Sequence, residues 1–312
     1  METITSKIDF VTGIPDDYRK TVLAAPPSCK IEITANCQYR CSFCVKSIRP
    51  ETGNMDRKLY SRLIKELRDA GVNELGVFFV GESFTCQWLP DAIAEAKAIG
   101  FPYVFLTTNG SIATADKVRA VFDAGLDSLK FSLNFSDEQQ FKDVARVNPK
   151  LFRKAIDNIK TARAIRDAGE YNCRLYASSI AFNGSQGEKM RAIIDEVKPF
   201  VDEAYWLPLF SMGGASKKAG MKPTQGNPGR LDRLRDPLPC WSVFREAHIT
   251  HDGLLAACCF GSGITGQELI MGDLTKQSFM ECWNSEEFQE LRAAHLKKDV
   301  TSTACEGCAA GS

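Results

Sequence analysis

Six strand-like segments alternate with helical segments along the first two thirds of the chain, and this alternation constrains the fold more than any other feature. The strand-like segments are 30–36, 74–80, 102–108, 127–135, 174–182 and 203–210. The helical segments are 56–71, 89–100, 113–125, 137–168 (interrupted near Asn148-Pro149) and 188–200. Repeats of roughly 30 residues are typical of βα units in a parallel sheet, and closing a barrel takes eight of them. The sequence therefore predicts an α/β fold, a partial (β/α)6 barrel.

The strand-like segments read as nearly continuous apolar runs rather than as alternating ones. Parallel strands with this pattern usually have helices or other chain packed on both faces of the sheet. We therefore expect both faces of the sheet to be covered.

The charge balance excludes two classes of partner. The 312 residues include 39 Lys and Arg and 39 Asp and Glu, so the formal net charge is zero. A neutral chain lacks the basic surface that binds nucleic acid or anionic membranes, and no segment is apolar over the length that spans a bilayer. The N-terminus lacks the basic and apolar regions of a signal peptide, so we expect a cytoplasmic protein. In that compartment the 12 cysteines indicate metal or cluster binding rather than disulfides.

Composition changes after residue 210. Residues 211–230 are rich in Gly, Lys and Pro without periodicity, which is typical of a linker or a loop. Farther along, His251-Asp252-Gly253 between two apolar runs predicts a β-hairpin, and Ser285 is a candidate N-cap for a helix over 285–298. We therefore divide the chain into an N-terminal extension, the barrel, a linker and a small α+β domain made of a hairpin and a helix. Their bounds are 1–28, 29–210, 211–239 and 240–312.

Three cysteines lie within eight residues just after the first strand. Cys37, Cys41 and Cys44 follow the carboxyl end of that strand, where α/β folds place their chemistry. Soft thiolates suit iron–sulfur clusters. Three thiolates leave one iron of a four-iron cluster without a protein ligand, so that iron is open to a substrate or a cosubstrate.

The motif CxxxCxΦC, in which Phe43 is the aromatic residue, resembles that of the radical S-adenosylmethionine (SAM) superfamily. The resemblance implies a 4Fe-4S cluster on Cys37, Cys41 and Cys44 whose open iron binds SAM. It also implies SAM contacts at the ends of the following strands. These residues are Phe43 near the adenine, Gly81 and Glu82 in a Gly-Gly-Glu-like turn where Val80 replaces the first glycine, Asn109 in a Thr-Asn-Gly turn, and Ser132 and Arg146 near the methionyl carboxylate.

Residues 240–312 resemble the Twitch domain, the shorter relative of the SPASM domain of radical SAM enzymes. The resemblance implies one auxiliary 4Fe-4S cluster, although zinc is a competing occupant because it also suits four thiolates. The implied ligands are Cys240, Cys258, Cys305 and Cys308. Cys259 and Cys282 are alternative ligands or free thiols. Adjacent residues of a strand face opposite ways, so we do not expect Cys258 and Cys259 to bind the same cluster.

The resemblance implies an enzyme that takes an electron from a flavodoxin- or ferredoxin-type reductant and generates a 5′-deoxyadenosyl radical. Chain size and auxiliary cysteine spacing resemble those of aminocyclitol dehydrogenases. A biosynthetic oxidoreductase is therefore implied, one that oxidises a small sugar, cyclitol or similar hydroxylated substrate and uses the auxiliary cluster as electron acceptor.

Three alternatives stay open. The first is an epimerase in which Cys259 donates hydrogen. The second is a maturase of a ribosomally made peptide, and the third is a non-enzymatic iron–sulfur protein. About 29 residues precede the first strand, fewer than a peptide-recognition domain needs, which favours a small substrate.

The sequence does not single out a proton acceptor. Three polar residues are candidates to face the substrate: Arg245, Tyr205 and Glu203. We expect structural roles for His248 and His251, on or beside the hairpin, and a solvated position for His295 on the C-terminal helix.

Overall fold

A computed structural model describes residues 3–47, 51–211, 215–224, 229–233, 235–259 and 269–309. Its strands form one mixed, open sheet of nine strands in the order β6-β5-β4-β3-β2-β1-β7-β8-β9. The strands are β1 (Ser28–Ile31), β2 (Glu74–Gly76), β3 (Tyr103–Thr108), β4 (Ser128–Ser132), β5 (Arg174–Ile180), β6 (Glu203–Leu207), β7 (Glu246–Ile249), β8 (Leu254–Ala256) and β9 (Ile270–Asp273). The first six are parallel neighbours in chain order, which confirms the partial barrel.

The helices lie between these strands and at both ends of the described chain. They are α1 (Ile4–Thr12), α2 (Arg57–Ala70), α3 (Leu89–Ile99), α4 (Ala115–Asp123), α5 (Glu138–Ala145), α6 (Lys150–Ala168), α7 (Gly184–Val197), α8 (Ala215–Lys218), α9 (Ser242–Arg245), α10 (Phe279–Trp283), α11 (Glu286–Leu296) and α12 (Glu306–Ala309). The predicted long helical segment is two helices, because the break at Asn148-Pro149 separates α5 from α6. No helix in these ranges is long and apolar enough to cross a membrane.

Local signals set the helix ends. The Asp56 side chain caps α2 by accepting a hydrogen bond from the Leu59 N–H, and α2 ends at Gly71 in the left-handed conformation. Ser285 caps α11 in the same way, through the N–H of Phe288, as the sequence predicts. Such caps satisfy backbone groups that the helix leaves unpaired.

The two faces of the barrel sheet differ, and the expectation that both are covered is wrong. On β4, Leu129 and Phe131 have no exposed surface because they pack into the core that also contains residues of α4 and α6. The alternate residues Ser128 and Lys130 line a cavity inside the barrel. A polar inner face in a short strand is difficult to recognise, because two or three inward residues give a weak period-2 signal.

Helix α1 closes the end of the barrel at which the strands begin. The Glu203 carboxylate accepts hydrogen bonds from the Ile4 N–H at 3.0 Å and the Thr5 hydroxyl at 2.6 Å. Lys7 pairs with Glu74 at 3.2 Å. The segment 1–28, predicted only as an extension, therefore contributes a wall of the cavity.

The C-terminal region continues the barrel sheet. β7 pairs with β1 in parallel, so that Ser28 lies opposite Glu246 and Ile31 opposite Ile249. The predicted hairpin at His251-Asp252-Gly253 joins β7 to β8. A third strand, β9, and helix α10 complete this region, and the sequence did not predict them.

Part of the segment predicted as a linker, 211–239, lies outside the described residues. The described part contains α8 and a short 3-10 helix, Leu231–Arg233. Arg230 pairs with Asp9 of α1 at 2.6 Å. The described segment therefore contacts the helix that closes the barrel.

Candidate active site

The loop with the first three cysteines is held by the C-terminal end of α5. The N–H groups of Arg40 and Ser42 donate to the carbonyls of Ala145 and Val144 at 2.9 and 3.0 Å. These carbonyls belong to the last turn of a helix, where partners within the helix are missing. The Cys44 N–H also donates to the Cys41 carbonyl at 3.0 Å. The loop is thus fixed by backbone contacts that leave the thiols available.

The three thiols resist ionisation in the absence of a cation. Burial raises the pKa of Cys37 to about 12. Burial also raises the pKa of Cys41 well above its usual value and raises the pKa of Cys44. The Cys44 thiolate opposes ionisation of Cys37, and both of these thiolates oppose ionisation of Cys41. Iron would supply the missing positive charge, so this donor set fits a cluster with three cysteine ligands.

A single metal ion is not indicated by the described part of the chain. There, no three side chains of His, Cys, Asp or Glu are placed to hold one ion together. In a four-iron cluster each thiolate binds its own iron, so the sulfurs need not converge on one point.

Gly81 is required by a close approach of two chain segments. A Cβ at this position would lie 2.0 Å from the carbonyl oxygen of Thr34. The next N–H, of Glu82, donates to the Asn36 carbonyl at 2.8 Å. The turn after β2 therefore packs directly on the segment that leads from β1 to Cys37. Val80, which replaces the family's first glycine, lines the cavity.

The Glu82 carboxylate joins the turns that follow β2 and β3. One oxygen accepts from the Thr108 hydroxyl at 2.8 Å and from the Phe84 N–H at 3.2 Å. The other accepts from the Asn109 N–H at 2.7 Å. Burial raises the pKa of Glu82, and these hydrogen bonds counteract part of the increase. Part of the acceptor capacity expected to meet the SAM amino group is therefore used to position the Thr-Asn-Gly turn.

Asn109 lies beside the first cysteine. Its amide nitrogen is 4.0 Å from the Cys37 sulfur, and its amide oxygen accepts from Gln38 at 2.8 Å. Gly110 has a φ of +82°, a left-handed conformation that favours glycine at this turn. The structure thus brings together Cys37, Glu82 and Asn109 from three consecutive βα units.

The other predicted SAM contacts have less specific surroundings. Ser132 ends β4 and is half-buried. Arg146 caps the C-terminus of α5 with a φ of +56° and is exposed. The Phe43 ring is buried with its centroid 6.4 Å from that of Phe135. Their roles toward SAM stay predictions.

A buried carboxylate that was not predicted from the sequence links the two cysteine regions. Glu32 is 1% exposed. One of its oxygens accepts from the N–H groups of Val80 and Gly81 at 3.2 and 3.3 Å. The other accepts from the N–H of His251, in the β7–β8 turn, at 3.1 Å. The sequence signal is an acidic residue between the isoleucines of "KIEIT", inside an apolar run.

The second cysteine set is assembled from three separate segments. Cys240 precedes α9, Cys258 and Cys259 follow β8, and Cys305 and Cys308 lie near α12. Burial and the nearby thiols raise the pKa of Cys305 to about 12 and that of Cys308 to about 11. All five line the same cavity, so this donor set fits a cluster with four cysteine ligands.

Cys258 and Cys259 do not lie on a strand, so the expectation that they cannot bind the same cluster has no structural basis. β8 ends at Ala256, so neither cysteine lies on a strand and their side chains need not alternate. Cys240 and Cys308 are near enough to Cys259 to raise its pKa. Cys282 packs instead on β9, where a Cβ on Gly272 would lie 2.4 Å from its sulfur, and it is not among the described cavity residues.

The prediction that His295 is solvated is wrong. Its ring is 1% exposed, because α11 turns this side toward α9 and the core together with Phe288, Leu291 and Arg292. Its Nδ1 accepts a hydrogen bond from the Cys240 N–H at 3.1 Å. Burial lowers the pKa of His295 to about 4, so the ring is neutral at pH 7. His295 therefore orients the backbone at Cys240.

A single cavity of about 1250 Å³ reaches both cysteine sets. Its wall includes Cys44 from the first set. Of the three polar candidates, Tyr205 lines the cavity. Glu203 instead binds the first turn of α1, and the Arg245 guanidinium lies 4.3 Å from the centre of the Tyr18 ring.

This fold, with one cysteine set at the carboxyl end of β1 and a second on the added strands, defines a class of iron–sulfur enzymes that use SAM. Residues 31–194 match the Radical SAM superfamily, and residues 240–309 match the SPASM iron–sulfur cluster-binding domain. The chain therefore belongs to the radical SAM superfamily. Membership implies SAM, one 4Fe-4S cluster and an auxiliary iron–sulfur cluster as its cofactors.

Proteins with similar structure have been solved with different kinds of bound molecule. The butirosin radical SAM dehydrogenase BtrN, in complex with AdoMet and 2-DOIA, matches with a TM-score of 0.58 at 18% identity over 91% of both chains. SuiB of Streptococcus suis, bound to its precursor peptide SuiA, matches with a TM-score of 0.66 at 13% identity over 92% of this chain and 70% of SuiB. At these identities the likeness shows the fold alone.

Curated relatives that are similar in sequence include a cyclase. The GTP 3′,8-cyclase of Chlorobaculum tepidum is 26% identical over 199 residues, which cover 59% of this chain and 57% of the cyclase. The chain thus spans just over half the length of that relative.

Proposed function

We propose that this radical SAM enzyme dehydrogenates a small hydroxylated molecule, a sugar, a cyclitol or a similar compound, to a carbonyl product. One observation carries the proposal: a single cavity is lined both by Cys44 and by the five cysteines of the second set. A molecule in that cavity lies between the site where hydrogen is removed and a site that can accept an electron.

The cofactors supply the redox chemistry. When bound, the first cluster and SAM provide the radical that removes a hydrogen atom, and the auxiliary cluster provides an electron acceptor. An alcohol carbon that has lost a hydrogen atom becomes a carbonyl when it loses one more proton and one more electron. The overall change is therefore a two-electron oxidation of the substrate.

The chain supplies position and shielding. Helix α1 closes the cavity at the end where the strands begin. The aromatic rings of Phe78, Tyr103 and Phe105 form part of the cavity wall. Such walls limit the access of water to reactive intermediates. Glu32 and Glu82 fix the turns around the predicted SAM site.

The same proposal includes the reductant, the compartment and the substrate class of the enzyme. A flavodoxin- or ferredoxin-type protein supplies the first electron, and the reaction takes place in the cytoplasm. BtrN, whose structure holds the small molecule 2-DOIA, supports a small substrate. SuiB, whose structure holds a peptide, represents the competing substrate class.

Epimerisation is the second candidate, because five cysteines line the cavity where a cluster needs four. In this case the remaining thiol returns a hydrogen atom to the opposite face of the substrate carbon. Cys259 is the candidate donor.

Incubation of the reduced, reconstituted enzyme with a panel of cyclitols and sugars in deuterated buffer tests both functions. A carbonyl product formed with one 5′-deoxyadenosine per turnover supports dehydrogenation. Solvent deuterium at an inverted carbon, abolished by Cys259→Ala, supports epimerisation and contradicts the proposal. Turnover of a peptide with no turnover of any small molecule would also contradict it.

A further inference from the structure

The inner face of the barrel carries charged side chains in an otherwise largely apolar cavity. Lys7 pairs with Glu74 at 3.2 Å, and Lys30 pairs with Glu246 at 2.7 Å. These two pairs are neutral as units. They come from α1, β1, β2 and β7, so they lie around the part of the cavity near the end of the barrel at which the strands begin.

Lys130 on β4 differs from both of these lysines. It lines the cavity, and within the described ranges it has neither an ion pair nor a hydrogen bond. The charged groups near it are Lys30, which repels its charge, and Glu246, which is already paired with Lys30. Burial and Lys30 lower the pKa of Lys130 to about 8, so the group is still mostly protonated at pH 7.

In the described part of the cavity wall, positively charged side chains outnumber negatively charged ones. Among the described residues that line it are five lysines and three glutamates. An ammonium without a partner in a largely apolar cavity is costly, and such groups are retained mainly where function uses them. The partner that this position lacks is an anion.

We propose that Lys130 binds an anionic group, a phosphate or a carboxylate, of a polyhydroxylated substrate. The proposal rests on the proposed function only for the placement of the substrate in this cavity. It deepens that function by restricting the substrate class to phosphorylated or acidic sugars and cyclitols. An ammonium on the inner face of β4 would hold the anionic end in mid-barrel, and the hydroxylated end would extend toward Cys44.

Binding to the reconstituted holoenzyme with SAM tests the proposal before any turnover. The probes are myo-inositol, myo-inositol 1-phosphate, the carboxylated cyclitol quinate, and inorganic phosphate, each at equal ionic strength. We expect phosphate and at least one anionic cyclitol to raise the melting temperature and to bind roughly tenfold or more tightly than myo-inositol. The two anionic cyclitols distinguish a phosphate site from a carboxylate site.

Variants assign the effect to Lys130. Lys130→Met should lose the anion preference, Lys130→Arg should keep most of it because the charge remains, and Lys154→Met, on the exposed side of α6, should behave as wild type. Equal anion effects in wild type and Lys130→Met would overturn the proposal, and so would a wild type that no anion stabilises more than myo-inositol does.

Two further outcomes separate this proposal from the proposed function. If Lys130→Met binds anions as wild type does but no longer forms product, Lys130 acts in proton transfer and the anion proposal is wrong. If anions bind through Lys130 but no small molecule is oxidised, the anion site stands and the dehydrogenase function fails.

Discussion

The two cysteine sets of this enzyme are built in opposite ways. The first occupies eight consecutive residues of one loop, held by two backbone hydrogen bonds to the end of α5. The second comes from three segments that span residues 240–308 and meet only in the folded protein. Cysteines within one short loop keep their spacing along the chain whatever the rest of the protein does. Cysteines from separate segments come together only if every element that positions them is correctly folded. The first set is therefore determined by local sequence, whereas the second is determined by the fold.

The largest expected effect breaks the first set. Replacing Cys37, Cys41 and Cys44 with Ala should abolish formation of 5′-deoxyadenosine, because the SAM-binding cluster loses its protein ligands. Iron should fall from about eight to about four per chain, since the second set is built independently. Chemical iron analysis and chromatography of the reaction measure both. Residual SAM cleavage above the protein-free background would contradict the assignment.

Removing the second set should separate SAM cleavage from product formation. With Cys305→Ala/Cys308→Ala we expect 5′-deoxyadenosine but no carbonyl product, because the electron acceptor is missing. Cys282→Ala is the control, since this thiol packs on Gly272 and should not affect cluster content. Normal product yield from the double variant would show that the second set does not take part in the oxidation.

A steric substitution tests whether SAM binding at the first set depends on the packing of the turn after β2. Gly81→Ala places a Cβ 2.0 Å from the Thr34 oxygen, so the turn must move and carry Glu82 with it. We expect SAM to bind at least roughly tenfold more weakly, and stability to fall by about 1–3 kcal/mol. Calorimetric titration with SAM and urea unfolding measure the two effects.

Gly100→Ala provides the matched control. Gly100 has a φ of +97° and no atom within 4 Å of an added Cβ. It should cost about 1–2 kcal/mol of backbone strain and leave SAM affinity unchanged. Equal loss of SAM binding in both variants would mean that general destabilisation, rather than the contact with Thr34, explains the effect.

The last expected effect leaves both cysteine sets intact and concerns the cavity between them. The pKa of Lys130 is about 8 in the folded protein and ordinarily 10.5, so the unfolded chain binds this proton more strongly. Below pH 8 this difference destabilises the fold by up to about 3 kcal/mol, and the penalty disappears as the pH rises toward 10.5.

Lys130→Met should therefore be more stable than wild type at pH 7, by an amount that shrinks at pH 10. Urea unfolding at both pH values measures the difference between the two proteins. A difference that does not depend on pH would show that the pKa of Lys130 is not lowered.

Local signals explain what the sequence predicts well. The six βα units are recognised because each apolar run and each stretch of helical spacing lies within a few consecutive residues. Cys37, Cys41 and Cys44 are recognised for the same reason. Both kinds of signal are complete within one short segment, so no knowledge of the tertiary fold is needed.

Long-range contacts explain what the sequence does not predict. The pairing of β7 with β1 joins residues more than two hundred positions apart. His295 is polar and lies on a helix of low amphipathicity, so only the packing of α11 shows that it is buried and bonded to Cys240. Lys130 lies in an apolar strand. It lacks a carboxylate partner because the nearby Glu246 of β7 is already paired with Lys30 of β1, and the sequence does not reveal that pairing.

The pairing of β1 with β7 also has a consequence for synthesis of the chain. Until residue 249 has left the ribosome, β1 presents an unpaired edge beside a loop of three thiols. Exposed strand edges are templates for aggregation, and translation at about 5–20 residues per second leaves this edge open for some tens of seconds. The last strands to be made therefore cover the edge of the first.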